Sequence, residues 1–212
     1  MKFDVLSYRE RILRKIYKYV DLKGKEMLLD VGCGDGGDCE LFSKFVKKVV
    51  GTDINFHQNW IKIMEKRINI DFIISDACNL PFPNETFDLV YVKDVLHHIQ
   101  NHEDALEEII RVTKTGGQII IIESNRYNPI SHIHLTLIKD HEHFSKNFFY
   151  QLIERHFNNF EFFTIDSHVF CVRNKTIIKL LHYFEDFLEK IPIINNYLNY
   201  NIAIAIKEGV KK

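Results

Sequence analysis

The feature that most limits how this chain can fold is a series of short apolar runs separated by helix-like segments. Five runs are almost continuously apolar, and the segments between them carry apolar residues at helical spacing. The runs cover residues 26–31, 48–54, 71–77, 86–92 and 118–124. Continuous rather than alternating apolar runs are typical of parallel strands that are covered on both faces. Strands that alternate with helices at this spacing predict an open, doubly wound α/β sheet.

The last third of the chain follows a less regular pattern. Ser145 is placed to cap a helix that runs through His156. Residues 160–170 read as one long strand or a pair of strands, and residues 200–208 alternate isoleucine with alanine. This alternation predicts a final strand that is inserted antiparallel to its neighbours.

Composition excludes several classes of protein. With 212 residues, 46% apolar and 27% charged, the sequence is typical of a globular domain, and its net charge of −1 gives no overall positive field to attract nucleic acid. The four cysteines form no C-x-x-C pair, which argues against a disulfide framework or a zinc site. No signal peptide and no apolar stretch of about 18 residues is present, so we expect a cytoplasmic protein without a membrane span.

A glycine-rich loop follows the first predicted strand. The stretch LLDVGCGDGGD, residues 28–38, lacks several Cβ atoms and so lets backbone N–H groups approach a ligand. Gly32, Gly34 and Gly37 satisfy the G-x-G-x-x-G pattern, and Asp53 lies about where a dinucleotide-binding fold places its ribose acid. On this pattern, an NAD-dependent oxidoreductase is one interpretation.

A second frame of the same loop favours a different cofactor. It begins at Asp30 and reads D-x-G-x-G-x-G through Gly36. A carboxylate at this strand end disfavours a pyrophosphate, because like charges would meet in a partly desolvated cleft. The same carboxylate favours a cationic amino-acid group, such as the methionine end of S-adenosylmethionine.

The motifs resemble, in order, those of the class I S-adenosylmethionine-dependent methyltransferases, specifically the small-molecule family known as type 11. LLDVGCGDG resembles the first motif, VVGTDI the second, and FIISDACNLPFPNETFDLVYVKDVLHHI the third and fourth. ALEEIIRVTKTGGQIIIIE resembles the turn into strand five, although it lacks the family's proline. The resemblance covers residues 25–125 well. It implies a Rossmann-like, seven-stranded, mostly parallel sheet with an antiparallel last strand and a helical cap after strand five.

The resemblance also implies a set of cofactor-binding residues. Asp53 takes the position of the acid that accepts hydrogen bonds from both ribose hydroxyls. Asp76 takes the position of the acid that binds the adenine amine, with Ala77 offering its N–H to the ring. Lys93 either contacts the cofactor carboxylate or begins an exposed helix. The full expected set is Asp30, Gly32, Cys33, Gly34, Gly36, Asp53, Ile54, Asp76, Ala77 and Lys93.

The expected layout is a single methyltransferase domain over residues 1–212. An N-terminal helix lies in residues 1–24 and the cofactor-binding core in residues 25–125. Cap or substrate elements are expected in residues 126–145 and 174–198. These cap elements are where the family places the methyl acceptor.

Histidines near the predicted cap are the candidate catalytic groups. His141 or His143 is placed to act as a base toward the acceptor, with an ordinary surface turn as the alternative. No metal site is expected, because two histidines of an H-x-H pair on a helix point in different directions. His97 and His98 belong to a family signature in which the second histidine is usually structural, and both are interpreted as packing or hydrogen-bonding groups.

The acceptor is not identified by the sequence. Residues 176–191 form a predicted helix with one apolar stripe, which fits a lid over an apolar acceptor, a dimer face or plain core. The stripe consists of Ile177, Leu181, Phe184, Leu188 and Ile191. We therefore expect methyl transfer to O, C or N of a small, fairly apolar molecule by a monomer or homodimer. The alternatives are an RNA or protein methyltransferase, although no nucleic-acid module is present, and a member that binds the cofactor without catalysis.

Overall fold

One seven-stranded sheet organises the computed structural model, which describes residues 7–22, 24–129, 143–167 and 174–209. The strands are β1 Met27–Val31, β2 Lys48–Asp53, β3 Ile70–Ile74, β4 Phe87–Lys93, β5 Thr113–Ser124, β6 Phe160–Ile165 and β7 Tyr200–Ile206. Their order across the sheet is β3-β2-β1-β4-β5-β7-β6. Strands β1 to β5 pair in parallel, and β7 is antiparallel to both β5 and β6. The predicted doubly wound sheet with an antiparallel last strand is confirmed.

Helices cover both faces of this sheet. They are α1 Tyr8–Ile16, α2 Gly37–Phe42, α3 Asn59–Lys66, α4 His102–Val112, α5 Lys146–His156 and α6 Lys175–Leu188. One face packs Cys39 of α2 and Trp60 of α3 against the strands, and the other packs Leu106 of α4 and Phe149 of α5. The central strands are therefore buried on both sides, which explains their continuous apolar runs. No helix within the described ranges is long and apolar enough to cross a membrane.

Some element ends differ from the sequence-based expectation. The sequence predicts a helix over residues 38–47, but α2 ends at Phe42 and turns follow it. Strand β5 begins at Thr113, ahead of the predicted start, and passes through Gly116 with a φ of +77°. The predicted cap of α5 is confirmed, since the Ser145 Oγ accepts a hydrogen bond from the N–H of Phe148 at 3.2 Å.

Helix α6 does not pack with its most apolar face toward the sheet. Ile178, His182 and Glu185 are buried, whereas Ile177 and Phe184 of the predicted stripe are 45% and 58% exposed. The other three residues of the stripe, Leu181, Leu188 and Ile191, are half-buried, so the stripe is partly covered and none of it is fully buried. The cause is a set of ion pairs between the polar side of α6 and helix α1, described below.

The C-terminal elements meet at the same edge of the sheet as the carboxyl ends of the parallel strands. Because β7 is antiparallel, its first residue, Tyr200, pairs with Ser124 at the end of β5. The Asn125 side-chain amide donates to the backbone oxygens of Asn196 and Leu198 at 2.8 and 2.9 Å, which fixes the segment after α6 on this edge. This edge is where open α/β sheets bind their ligands.

Candidate active site

A cleft of about 480 Å³ opens at the carboxyl ends of the first four strands. It is built from the loops that follow β1, β2, β3 and β4. Its lining consists of Val31, Gly32, Gly34, Asp53, Ile54, Asn55, His57, Ser75, Asp76, Ala77, Asp94, Val95, His98 and Ile99. The volume is in the usual range for a small-molecule site, and the strand order reverses between β1 and β4 at this point.

The glycine loop has three left-handed residues, each with a different neighbourhood. Gly32, Gly34 and Gly36 have φ values of +69°, +51° and +79°, a region that favours glycine. A Cβ on Gly32 would lie 2.2 Å from Val95, and one on Gly36 would lie 2.6 Å from Phe72. A Cβ on Gly34 would meet no atom within 4 Å. The first and third glycines therefore allow close packing, and Gly34 presents its bare backbone to the cleft.

Two carboxylates at the strand ends are held by backbone N–H groups. The Asp53 carboxylate accepts hydrogen bonds from the N–H groups of Gly34 and Asn55, both at 2.9 Å. The Asp76 carboxylate accepts one from the N–H of Cys78 at 2.9 Å. A carboxylate has about four acceptor sites, so both groups keep capacity for hydroxyl or amine donors of a ligand.

The charge of the cleft argues against a phosphate-containing ligand. Asp53, Asp76 and Asp94 contribute three carboxylates, and none of the residues that line the cleft is lysine or arginine. Within the described ranges, no lysine or arginine forms an ion pair with Asp53 or Asp76. A diphosphate placed here would meet the carboxylates of Asp53 and Asp76 without a compensating lysine or arginine, whereas hydroxyl, amine and cationic groups would be favoured.

Six of the ten expected cofactor-binding residues line the cleft and four do not. Those that line it are Gly32, Gly34, Asp53, Ile54, Asp76 and Ala77. Cys33 and Gly36 belong to the loop but not to the lining; the N–H of Cys33 donates to the oxygen of Thr52 at 2.8 Å. The structure adds Asn55, His57, Ser75 and His98 to the lining, and none of these was expected from the motif pattern.

Asp30 and Lys93 lie beneath the loop rather than in the cleft. Asp30 is 2% exposed, and its carboxylate accepts a hydrogen bond from the Cys39 thiol at 3.1 Å. Burial, together with the nearby charge of Asp38, raises the pKa of Asp30 to about 8. Lys93 Nζ lies 3.8 Å from Asp38 and 3.6 Å from Asp94, and burial alone would lower its pKa, but these carboxylates hold it above its usual range. The two side chains were expected to face the cofactor, but they do not line the cleft. They lie close to Asp38 instead, which the short helix α2 places beneath the loop.

Helix α1 closes over the glycine loop, which sequence reasoning missed. The Arg9 guanidinium lies 2.9 Å from Asp35 and 3.4 Å from Asp38. A Cβ on Gly37 would lie 2.5 Å from Arg9 Nη1, so the last glycine of the G-x-G-x-x-G pattern makes room for this arginine. Packing against Arg9 therefore explains the third glycine of the G-x-G-x-x-G pattern without a dinucleotide.

A cluster of histidines lies beside the Asp94 end of the cleft. His97 Nδ1 is 2.5 Å from the Glu123 carboxylate, which also accepts from the N–H groups of Val95 and Leu96 at 3.2 and 2.8 Å. Burial alone would lower the pKa of His97, but the hydrogen bond and charge of Glu123 outweigh it and raise that pKa. The rings of His98 and His143 lie 4.0 and 4.3 Å from the His97 ring.

This cluster changes the interpretation of three histidines. His98, expected to be structural, lines the cleft, and His97 is fixed by a fully buried glutamate. His143 lies next to His97 but outside the cleft lining. His141 falls outside the described residues.

The same place contains three groups whose spacing would allow a metal ion. Single ligand atoms of Asp94, His97 and Glu123 lie within 4.8 Å of one another. These atoms are already engaged, because His97 Nδ1 pairs with Glu123 and the Asp94 carboxylate accepts from the N–H and hydroxyl of Ser124 at 3.0 and 2.6 Å. The arrangement is a hydrogen-bonded network that joins the ends of β4 and β5.

Comparisons with known proteins agree with this architecture. Residues 29–121 match the family model described as "Methyltransferase domain". Demethylmenaquinone methyltransferase of Paenarthrobacter aurescens is 36% identical over 123 residues, covering 57% of this chain and 48% of that protein. Phthiotriol/phenolphthiotriol dimycocerosates methyltransferase 1 of Mycobacterium ulcerans is 31% identical over 116 residues, covering 53% of this chain and 42% of that protein. The chain thus spans about half the length of these curated relatives.

A solved structure extends the likeness over nearly the whole chain. A SAM-dependent methyltransferase from Archaeoglobus fulgidus has a TM-score of 0.62 and 21% identity, and 94% of each chain is covered. This likeness shows that the chain has the Rossmann-like fold. Within it, residues 29–121 are similar to the type 11 methyltransferase family, whose motifs they carry.

Proposed function

We propose that this protein transfers a methyl group from S-adenosylmethionine to a small, fairly apolar acceptor. The observation that supports this most directly is the cleft at the ends of β1 to β4, which combines the open side of Gly34 with carboxylates that keep free acceptor capacity. Its lining contains no lysine or arginine for a phosphate. The match of residues 29–121 to the methyltransferase family model adds to this argument, since the same loop and strand ends carry the family motifs.

The residues of the cleft fit the parts of this cofactor. Asp53 is available for the ribose hydroxyls, and Asp76 for the adenine amine beside the backbone of Ala77. Ile54, which is 67% exposed although apolar, offers a surface for the nucleoside. When bound, the cofactor supplies an electrophilic methyl group on a sulfonium.

The acceptor enters, on this proposal, at the Asp94 end of the cleft. Asp94 and His98 line that end, and the His97–Glu123 pair lies directly behind His98. For a hydroxyl or an acidic carbon acceptor, this cluster provides imidazoles that can remove the proton as the methyl group is transferred. The role of His143, and of His141 outside the described residues, stays a prediction.

The class of acceptor is inferred from two observations. The two relatives described above act, by their names, on demethylmenaquinone and on phthiotriol or phenolphthiotriol dimycocerosates. In this chain, apolar side chains of α6 and of the turn after it are exposed near the acceptor edge. Both observations favour an apolar small molecule over RNA or protein.

The test compares two cofactors and then follows the methyl group. We expect S-adenosylhomocysteine to raise the melting temperature and NADH to leave it unchanged, because only a bound ligand stabilises the fold. Stabilisation by NADH alone would assign the chain to oxidoreductases. Incubation with methyl-labelled cofactor and fractionated cell extract should then label the lipid-soluble small-molecule fraction. Label in RNA or protein would refute the proposed class of acceptor. Cofactor binding with no label in any fraction would refute the proposed activity.

A further inference from the structure

Helix α6 exposes an apolar side and turns its acidic residues inward, the reverse of an ordinary amphipathic helix. His182 and Glu185 are 5% and 2% exposed. Large apolar residues on the other side are among the most exposed of the described chain: Leu180 62%, Tyr183 72%, Phe184 58% and Phe187 57%. A free-standing apolar face of this kind marks an interaction site.

Ion pairs with α1 fix this orientation. Arg11 of α1 is fully buried, and its guanidinium lies 2.9 Å from Glu185, 2.9 Å from Asp186 and 2.8 Å from Glu189. The Arg11 Nε also donates to the backbone oxygen of Asp166 at 2.8 Å. Rotating α6 to bury its apolar side would strand this arginine and its carboxylates in the interior, so the exposed face is built into the fold.

The exposed residues form one continuous surface. At about 100° per residue, Ile177, Leu180, Phe184, Phe187 and Tyr183 fall within roughly a third of the helix circumference. Ile193 and Tyr197, 81% and 52% exposed, extend the surface beyond the end of the helix. We call these seven residues the α6 apolar face.

The charges beside this face have one sign. Among residues 174–197, the exposed charged side chains are Lys175, Lys179 and Lys190. The acidic residues of α6 are turned toward α1 and paired there, as is Glu189 just after it. Lys175 and Lys190, near the two ends of the helix, therefore form a local cationic fringe, although the net charge of the whole chain is −1. Aromatic and aliphatic side chains with flanking lysines are typical of helices that lie in the headgroup region of anionic membranes.

We propose that the α6 apolar face docks the protein on an anionic lipid surface. Residue chemistry favours a bilayer over a second copy of the chain, because a two-fold interface would place this lysine-fringed face against itself. The position also fits: the Asn128 side chain donates to the oxygen of Tyr197 at 2.8 Å, which ties the face to the acceptor edge of the sheet. Docking on a membrane is a property beyond methyl transfer, and it can be measured without any enzymatic turnover.

The first experiment measures vesicle binding by sedimentation. The probes are vesicles of phosphatidylcholine alone and vesicles with about one third phosphatidylglycerol. We expect the intact chain to bind the anionic vesicles and the variant L180S/F184S/F187S to bind at least about tenfold more weakly. The matched control, I61S/M64S/I68S, removes exposed apolar residues on and just after α3 and should bind as the wild type does.

The second experiment tests the cationic fringe with substitutions that leave the apolar face intact. K175Q/K190Q should lower binding to anionic vesicles by about fivefold for each lysine, with weaker salt dependence, whereas K62Q/K66Q on α3 should not. Wild-type protein that binds neither vesicle, or variants that bind as tightly as wild type, would overturn the proposal. A wild-type dimer seen by light scattering, dissociated by L180S/F184S/F187S, with no vesicle binding, would assign the face to a second copy. We also expect the variants to bind S-adenosylhomocysteine with unchanged affinity. A failure of the docking proposal can then be distinguished from a failure of the methyl-transfer proposal.

Discussion

Two groups of carboxylates in this molecule are satisfied in different ways. In the cleft, Asp53 and Asp76 accept hydrogen bonds from backbone N–H groups and have no lysine or arginine partner among the described residues. At the α1–α6 contact, Glu185 and Asp186 are paired with Arg11, and Lys15 adds a further cation at 2.7 Å from Asp186. Carboxylates held by fixed backbone donors keep acceptor capacity for a ligand, whereas carboxylates held by cations are used up in holding two helices together.

The pKa of Asp186 reflects its pairing with cations at the α1–α6 contact. Burial by itself would raise the pKa of Asp186, but the Lys15 hydrogen bond and the charge of Arg11 outweigh it and hold the pKa at about 2. This carboxylate therefore adds stability that is present above its unfolded pKa and is lost as the pH falls toward 2.

The largest expected effect comes from removing the central cation of the helix contact. Arg11→Met leaves buried carboxylates without their partner, and we expect the free energy of unfolding to fall by about 3–5 kcal/mol. Urea denaturation measures this change. Arg14→Met is the control, because Arg14 is 39% exposed in its pair with Asp186 and should change stability by about 1 kcal/mol or less. Equal effects of the two substitutions would contradict the proposed division.

The next effect tests the cleft carboxylates. Asp53→Ala removes a charged hydrogen-bond acceptor, so we expect the dissociation constant of S-adenosylhomocysteine to rise by about 10- to 100-fold. Titration calorimetry measures it. Asp71→Ala is matched to it, since Asp71 is an exposed carboxylate paired with Lys48 at 2.6 Å, and it should leave the dissociation constant unchanged. An unaltered affinity in Asp53→Ala would remove this residue from the site.

Asp30 belongs to neither group and gives a pH-dependent effect. Its pKa is raised to about 8 in the folded protein, so the folded state binds more protons than the unfolded state between about pH 4 and 8. Stability should therefore fall as the pH rises through this window. Asp30→Asn, which cannot ionise, should show a flatter pH dependence in thermal unfolding. A wild-type curve parallel to that of the variant would show that Asp30 ionises normally.

The smallest expected effect concerns the histidine cluster. Glu123→Gln removes the charge that raises the pKa of His97, so that pKa should fall. An NMR titration of the His97 ring measures it. Glu103→Gln is the control, because Glu103 pairs with His156 at 2.7 Å on the surface and should leave His97 unchanged. No shift in Glu123→Gln would mean that burial, not Glu123, determines the protonation of His97.

Sequence patterns predicted the cofactor half of the molecule well, because local signals determine it. Continuous apolar runs identified β1 to β5, and the motif residues at their ends located six of the fourteen residues that line the cleft. Asp30 and Lys93 were predicted to face the cofactor, since the motif carries residue types but not side-chain directions. Their burial depends on Asp38, which α2 brings close only in the folded chain.

The C-terminal half could not be predicted in the same way, because distant contacts determine it. Helical periodicity located α6 correctly, but which side of it is buried depends on Arg11, 175 residues away from Asp186. Nothing in the local pattern distinguishes a core stripe from an exposed one. The role of His98 was missed for a similar reason, since only the turn after β4 shows which of two adjacent histidines faces the cleft.

The reversed direction of β7 has a consequence for how such a protein can diversify. Strand β6 ends, and strand β7 begins, at the edge of the sheet where β5 ends. The segment that connects β6 to β7 therefore leaves the sheet and returns to it at the same edge. Its length and surface can change without moving the register of any strand that carries the nucleoside contacts. On the proposed function, recognition of the methyl donor and choice of the acceptor are thus mechanically separable, and evolution or engineering can change the second while leaving the first unaltered.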